Sequence, residues 1–176
     1  MKAKVKQISK ALAVVTLVAS FGTAVAPAVV GSASSKVVKV MPAAYRHTWY
    51  AVGTEKGSGY QFGLKAKLKL TKTNYSMKMD TLYEGVTLNS YHEGYKKYSA
   101  HKTASGAYKL TMYKKSSGVW KPDATDTLKI VTKKFSGKKY TVLKEGTGSD
   151  SLYFFKSVSQ AKSSKYNVAK AMGLDE

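Results

Sequence analysis

The chain of 176 residues contains no cysteine. That excludes a disulfide scaffold and a lipid-modified cysteine anchor. Acidic residues are scarce, 10 against 30 basic ones, for a net charge of +20. Arginine is all but missing, since Arg46 is the only one. The planar, bidentate recognition of phosphates and guanine edges is an arginine property, so nucleic acid is not the expected partner. Histidines number three, His47, His92 and His101, and they lack the tight ligand cluster that a metal centre requires. There is no Gly-x-Ser-x-Gly elbow, no glycine-rich phosphate loop and no LPxTG-like sorting signal. We therefore expect neither a cofactor nor an enzyme, with a carboxylate-dependent hydrolase as the catalytic alternative. The lack of a convergent acidic cluster argues against that alternative, and the carboxylate pair Asp123 and Asp126, in Pro122-Asp123-Ala124-Thr125-Asp126, is read as turn chemistry.

The N-terminus is rich in what the rest lacks. Lys2, Lys4, Lys6 and Lys10 precede the apolar stretch Ala11–Phe21, and small residues follow through Gly31-Ser32-Ala33. This order is that of a secretory signal peptide, 1–33, cleaved after Ala33, with Ala28 as the alternative. Pro27 and the interspersed Gly, Ser and Thr argue against a permanent membrane span. We expect a secreted protein, extracellular or held non-covalently at the cell wall, with no transmembrane anchor after cleavage. Export without cysteine fits a Gram-positive source.

Loss of the signal's lysines leaves the remainder strongly basic. Lysine is a hydrated point charge, and a field of lysines attracts polyanions without sequence specificity and in a salt-sensitive way. Outside a Gram-positive cell the expected partner is an anionic wall polymer or another surface polyanion. The candidate contacts are Lys65, Lys67, Lys69, Lys96, Lys97, Lys138 and Lys139.

Residues 34–44 read as a basic linker, and 45–176 as a single domain. There, apolar and polar residues alternate. Phe62, Leu64, Ala66, Leu68 and Leu70 interleave with Gly63, Lys65, Lys67 and Lys69, the pattern of a strand with one buried face. Similar runs recur around Tyr75–Met79, 91–102, Tyr108–Tyr113, Leu128–Ile130 and Tyr140–Val142. Glycine-bearing turns fall between them, at Gly57-Ser58-Gly59, Glu84-Gly85, Glu93-Gly94, Ser105-Gly106, Ser117-Gly118 and Ser136-Gly137. Short connections predict an all-β antiparallel meander of about 8–10 strands. Closing it into a barrel would remove both edges, and a sandwich is the alternative. Val158, Ala161, Lys165, Val168 and Met172 have helical spacing, predicting a short C-terminal helix or tail before Gly173.

Thirteen tyrosines outnumber five phenylalanines and two tryptophans. Tyrosine joins apolar area to a hydroxyl, which suits binding surfaces. Arg46, Trp49, Tyr50, Tyr91, Tyr95 and Tyr98 are the candidate ligand contacts. Trp49, at the mouth of the first long strand, suits a plug whose N–H bonds a loop carbonyl.

The stretch Pro42-Ala43-Ala44-Tyr45-Arg46-His47-Thr48-Trp49-Tyr50 resembles the opening of small secreted proteins of lactobacilli and relatives. Those begin with Pro, a spacer and Arg-Gly-Thr-Trp-Tyr, and His47 stands where they have glycine. The same stretch is similar to the Gly-x-Trp opening of lipocalin-like barrels. That second resemblance implies a barrel with a trailing helix, and an alternative function as carrier of a small hydrophobic or amphipathic ligand inside it. Neither resemblance brings a catalytic residue.

Overall fold

The computed structural model of the protein describes residues 37–38, 40–57, 59–148 and 151–172. The expected signal peptide lies outside them. Strands dominate: β1 (Val37–Val38), β2 (Thr48–Gly57), β3 (Tyr60–Leu70), β4 (Tyr75–Tyr83), β5 (Val86–Tyr95), β6 (Lys97–Lys102), β7 (Tyr108–Ser116), β8 (Val119–Phe135), β9 (Lys138–Glu145) and β10 (Leu152–Phe154). Two short helices follow, α1 (Val158–Ser164) and α2 (Val168–Ala171). All strand pairs are antiparallel.

Period-two patterning decides the faces. Along β3, Leu64, Ala66, Leu68 and Leu70 are buried, while Lys65, Lys67 and Lys69 are exposed. Three hairpins turn on a non-glycine residue followed by glycine, both with positive φ: Glu84-Gly85, Ser117-Gly118 and Ser136-Gly137. That backbone matches the right-handed twist of the flanking strands, and glycine tolerates it without a Cβ clash.

The meander is divided in two. One sheet has the order β2-β3-β4-β5, the other β1-β6-β7-β8-β9-β10. The expected barrel does not form, because neither sheet closes. The reason lies at Lys96, where the chain passes from β5 to β6. That single residue is too short to reverse the chain into a hairpin, so β6 runs on into the second sheet without pairing with β5. β1 takes the outer edge of β6, through Val37 opposite His101 and Val38 opposite Ala100. The stretch 34–44, expected as a linker, thus carries β1, and it also carries the fully buried Met41.

Both sheets bury their inner faces in one core. Trp49, Leu64, Leu68, Met79, Leu110, Leu128, Leu143 and Phe154 are among its enclosed side chains. Trp49 donates its indole N–H to the Tyr45 carbonyl at 3.1 Å. α2 seats Val168 and Ala169 in the same core, directly against β2. At Gly53 a Cβ would come within 2.2 Å of Asn167 Oδ1 and 2.6 Å of the Val168 nitrogen, so only glycine permits this approach. The expected C-terminal helix is present but broken. Ser157 caps α1 by accepting from the Gln160 N–H at 3.1 Å, and left-handed Lys165 ends it before α2 starts.

Candidate functional site

The two sheets meet along two seams. In the first, Tyr50 of β2 and Phe155, just beyond β10, exchange backbone hydrogen bonds of 2.8 and 2.7 Å. Outside that bridge lies a small second core of Val142, Phe155 and Ala161, ringed by Phe135, Tyr140, Tyr153 and Tyr166.

The second seam, between β5 and the β7–β8 hairpin, is made by side chains. Four of the chain's ten acidic residues gather there: Glu93, Asp123, Asp126 and Glu145. Tyr75 and Tyr95, neighbours on β4 and β5, reach across to them. The Tyr75 hydroxyl lies 3.3 Å from both Asp126 Oδ2 and Glu145 Oε1. The Tyr95 hydroxyl bonds Glu93 and lies 2.8 Å from Asp123 Oδ2. Lys114 completes the outer part, 2.7 Å from Asp123 and over the Tyr95 ring.

Backbone irregularity builds this cluster. Opposite β7, Met112 pairs with Ala124 and Tyr113 with Pro122, so Asp123 is the extra residue of a β-bulge. A bulge re-aims a side chain that strict alternation would point the other way. Regular alternation on the inward face carries Asp126 and, opposite Leu128 on β9, Glu145.

Asp126 and Glu145 also hydrogen-bond one another. Two carboxyl groups can do so only by sharing a proton. Burial raises the affinity of both for that proton, and the Asp126 charge pushes Glu145 higher still. Burial, then the two carboxyls, hold the Tyr75 hydroxyl protonated. Tyr91 is pushed up to about 12, by burial and then by Glu93. Asp123 moves the opposite way, because the Lys114 hydrogen bond stabilises its charge. The cluster is a proton-holding joint, and its tyrosines remain hydrogen-bond donors across the neutral pH range.

The expected ligand contacts do not converge. Tyr91 and Tyr95 belong to the acid cluster. Trp49 is core. Tyr98 donates to the Thr71 carbonyl at 2.7 Å, with Arg46 nearby. Arg46 Nε is buried without a hydrogen-bond partner. Tyr50 sits at the first seam. His47 precedes β2, His92 lies on β5 and His101 on β6, and no metal-binding group of His, Asp or Glu occurs among the described residues.

The expected cationic contacts are all exposed, in three places. Lys65, Lys67 and Lys69 line β3, with Lys78 opposite Lys67 on β4. Lys96 and Lys97 mark the break between the sheets, and Lys97 lies 5.5 Å from the centroids of the Tyr113 and Trp120 rings. Lys138 and Lys139 extend the β8–β9 hairpin beside Lys134. Two ion pairs occur among the described residues, Lys78–Asp80 and Lys114–Asp123, so most lysines face outward unpaired.

Sequence reasoning missed the acid cluster. Glu93-Gly94 and Pro122–Asp126 look like turns, but both lie inside strands, β5 and β8. No protein-family model matches the chain, and comparison with curated proteins and with solved structures likewise finds no match.

Proposed function

We propose that this is an exported protein of a Gram-positive cell surface that holds anionic wall polymer through its lysine-rich outer faces. Segregation of charge is the observation that carries the proposal. Four carboxyls are drawn into the seam between the sheets, while Lys65, Lys67, Lys69 and Lys78 stand on one outer face. A polyanion lying on that face meets four cations against one acid, Asp80, which pairs with Lys78 and stands opposite Lys65. Release of its counterions drives the association. Purified wall polymer should bind at low salt and detach as salt rises. The variant with Lys65, Lys67 and Lys69 all changed to Gln should show a shallower dependence of log affinity on log salt, by about one per lysine in contact. Binding indifferent to salt would overturn the proposal.

A second function, carriage of an amphipathic ligand, is favoured by one feature outside the core. An open groove of about 720 Å³ runs between β2–β4 and α1. Val52, Leu82 and Val158 contribute its apolar lining, with Lys65, Lys162 and Lys165 along it. Native mass spectrometry of protein from its host tests this, since a carrier retains a small anionic amphiphile and a polymer binder retains none.

A further inference from the structure

β5 is the edge strand of the four-stranded sheet, paired with β4 on one side only among the described residues. Natural edges are guarded against chance pairing, most often by lysine. This chain has lysine to spare, and every other strand longer than three residues carries at least one. β5 carries none, and no residue from Val86 to Tyr91 is charged. The unguarded stretch is apolar where it meets solvent: Val86 is 68% exposed and Leu88 52%. Thr81 pairs with Asn89 and Leu82 with Thr87, so Leu88 is the extra residue of a bulge. A bulge normally deflects an edge, but this one leaves an exposed leucine on it.

We propose that β5 is a homotypic docking edge, to which a second copy of the chain adds its own β5 antiparallel across a two-fold axis. Charge selects this occupant. Two copies of so basic a chain repel wherever lysine-bearing strands approach. A β5–β5 contact centred on Leu88 brings no lysine from either side, and sets Val86 against the uncharged Ser90 of the other copy. Free backbone donors and acceptors pair across it, and the isologous contact closes at two copies. The joined sheets keep their outer faces on the same side, so the β3 lysines of both copies form one platform, and two linked faces hold a polymer more tightly than one. The dimer rests on strand geometry and does not depend on the polyanion reading. Strand pairing over so short a stretch falls below the roughly 1,200 Å² of a standard interface, so the dimer should dissociate on dilution.

The absence of cysteine makes the test clean. Sedimentation velocity of the purified chain should show a concentration-dependent dimer, and Leu88→Lys should leave a monomer with unchanged circular dichroism and melting temperature. Leu88→Cys supplies a lone thiol that should oxidise to a covalent dimer. Lys67→Cys, equally a surface thiol but on the lysine face, should remain monomeric under the same conditions. Three results would overturn the proposal: a wild-type monomer at every concentration, a dimer that survives Leu88→Lys, or equal cross-linking of the two cysteine variants. Capture of a different host protein by the Leu88→Cys thiol in place of a second copy would also overturn it.

Discussion

The same two sheets are joined along two seams by opposite chemistry. At the Tyr50–Phe155 seam a pair of backbone hydrogen bonds is sealed by aromatic rings under α1. At the β5–β8 seam no backbone ladder forms, and tyrosine hydroxyls and carboxyl groups bridge the gap. The first is insensitive to protonation. The second includes the buried Asp126–Glu145 pair, whose affinity for a proton burial raises. An apolar seam tolerates any pH at which the chain folds, whereas a seam of shared protons ties the union of the sheets to pH.

The largest effect should come from breaking the apolar seam. Phe155→Ala removes a fully buried ring and should destabilise the protein by about 3–5 kcal/mol, equally at every pH, as measured by denaturant titration. Next comes the polar seam. Tyr95→Phe deletes the hydroxyl shared by Glu93 and Asp123 and should cost about 0.5–1.5 kcal/mol, the net worth of an ordinary hydrogen bond, because Asp123 keeps Lys114. A Tyr95→Phe protein as stable as the wild type would mean that these hydroxyl contacts do not hold the sheets together.

The pH profile distinguishes the seams directly. Asp126 and Glu145 titrate above their ordinary values of 3.8 and 4.5, chiefly because burial disfavours charge. The folded state keeps a proton that the unfolded chain has released. Their contribution is therefore complete below those ordinary values and is lost as pH rises through the folded ones. Asp123, held low by Lys114, and Asp80 run the other way. At Asp80 burial opposes the hydrogen bonds from Ser90 and Lys78, and those bonds prevail. Their contribution is lost as pH falls below 3.8 and through their lowered values. Melting temperature should therefore peak in mildly acidic solution and fall towards neutrality. Glu145→Gln should flatten the neutral-side fall, and an unchanged slope in that variant would show that the dyad is not its source.

The smallest effect on stability belongs to the lysine face. Lys65, Lys67 and Lys69 are exposed, and replacing all three with Gln should change stability by no more than about 0.5 kcal/mol per site. A larger loss would mean that these lysines brace the sheet as well as serving as a binding surface.

The two seams also differ in how far the sequence foretells them. Alternation in 62–70 is strict, so the outward row of lysines and the buried Leu64, Leu68 and Leu70 follow from period two alone. Trp49 was legible too, since a large ring at the first strand needs a core and a carbonyl, and it has both. Asp123 was not. Proline before aspartate, and glutamate before glycine, are local turn signals, and in both places pairing with neighbouring strands overrides them. The bulge that aims Asp123 at the Tyr95 hydroxyl has no signature of its own in the chain.

By itself, then, the sequence determined an antiparallel all-β chain, the turns of its hairpins and a cationic exterior, because these depend on residues a few positions apart. Only the tertiary structure decided that the meander splits into two open sheets and that the acids meet. Both outcomes depend on contacts between residues far apart in the chain. β6 pairs with β1 and β7 and not with β5, and Tyr75 and Tyr95 reach the Asp126–Glu145 pair and Asp123 across the gap that results.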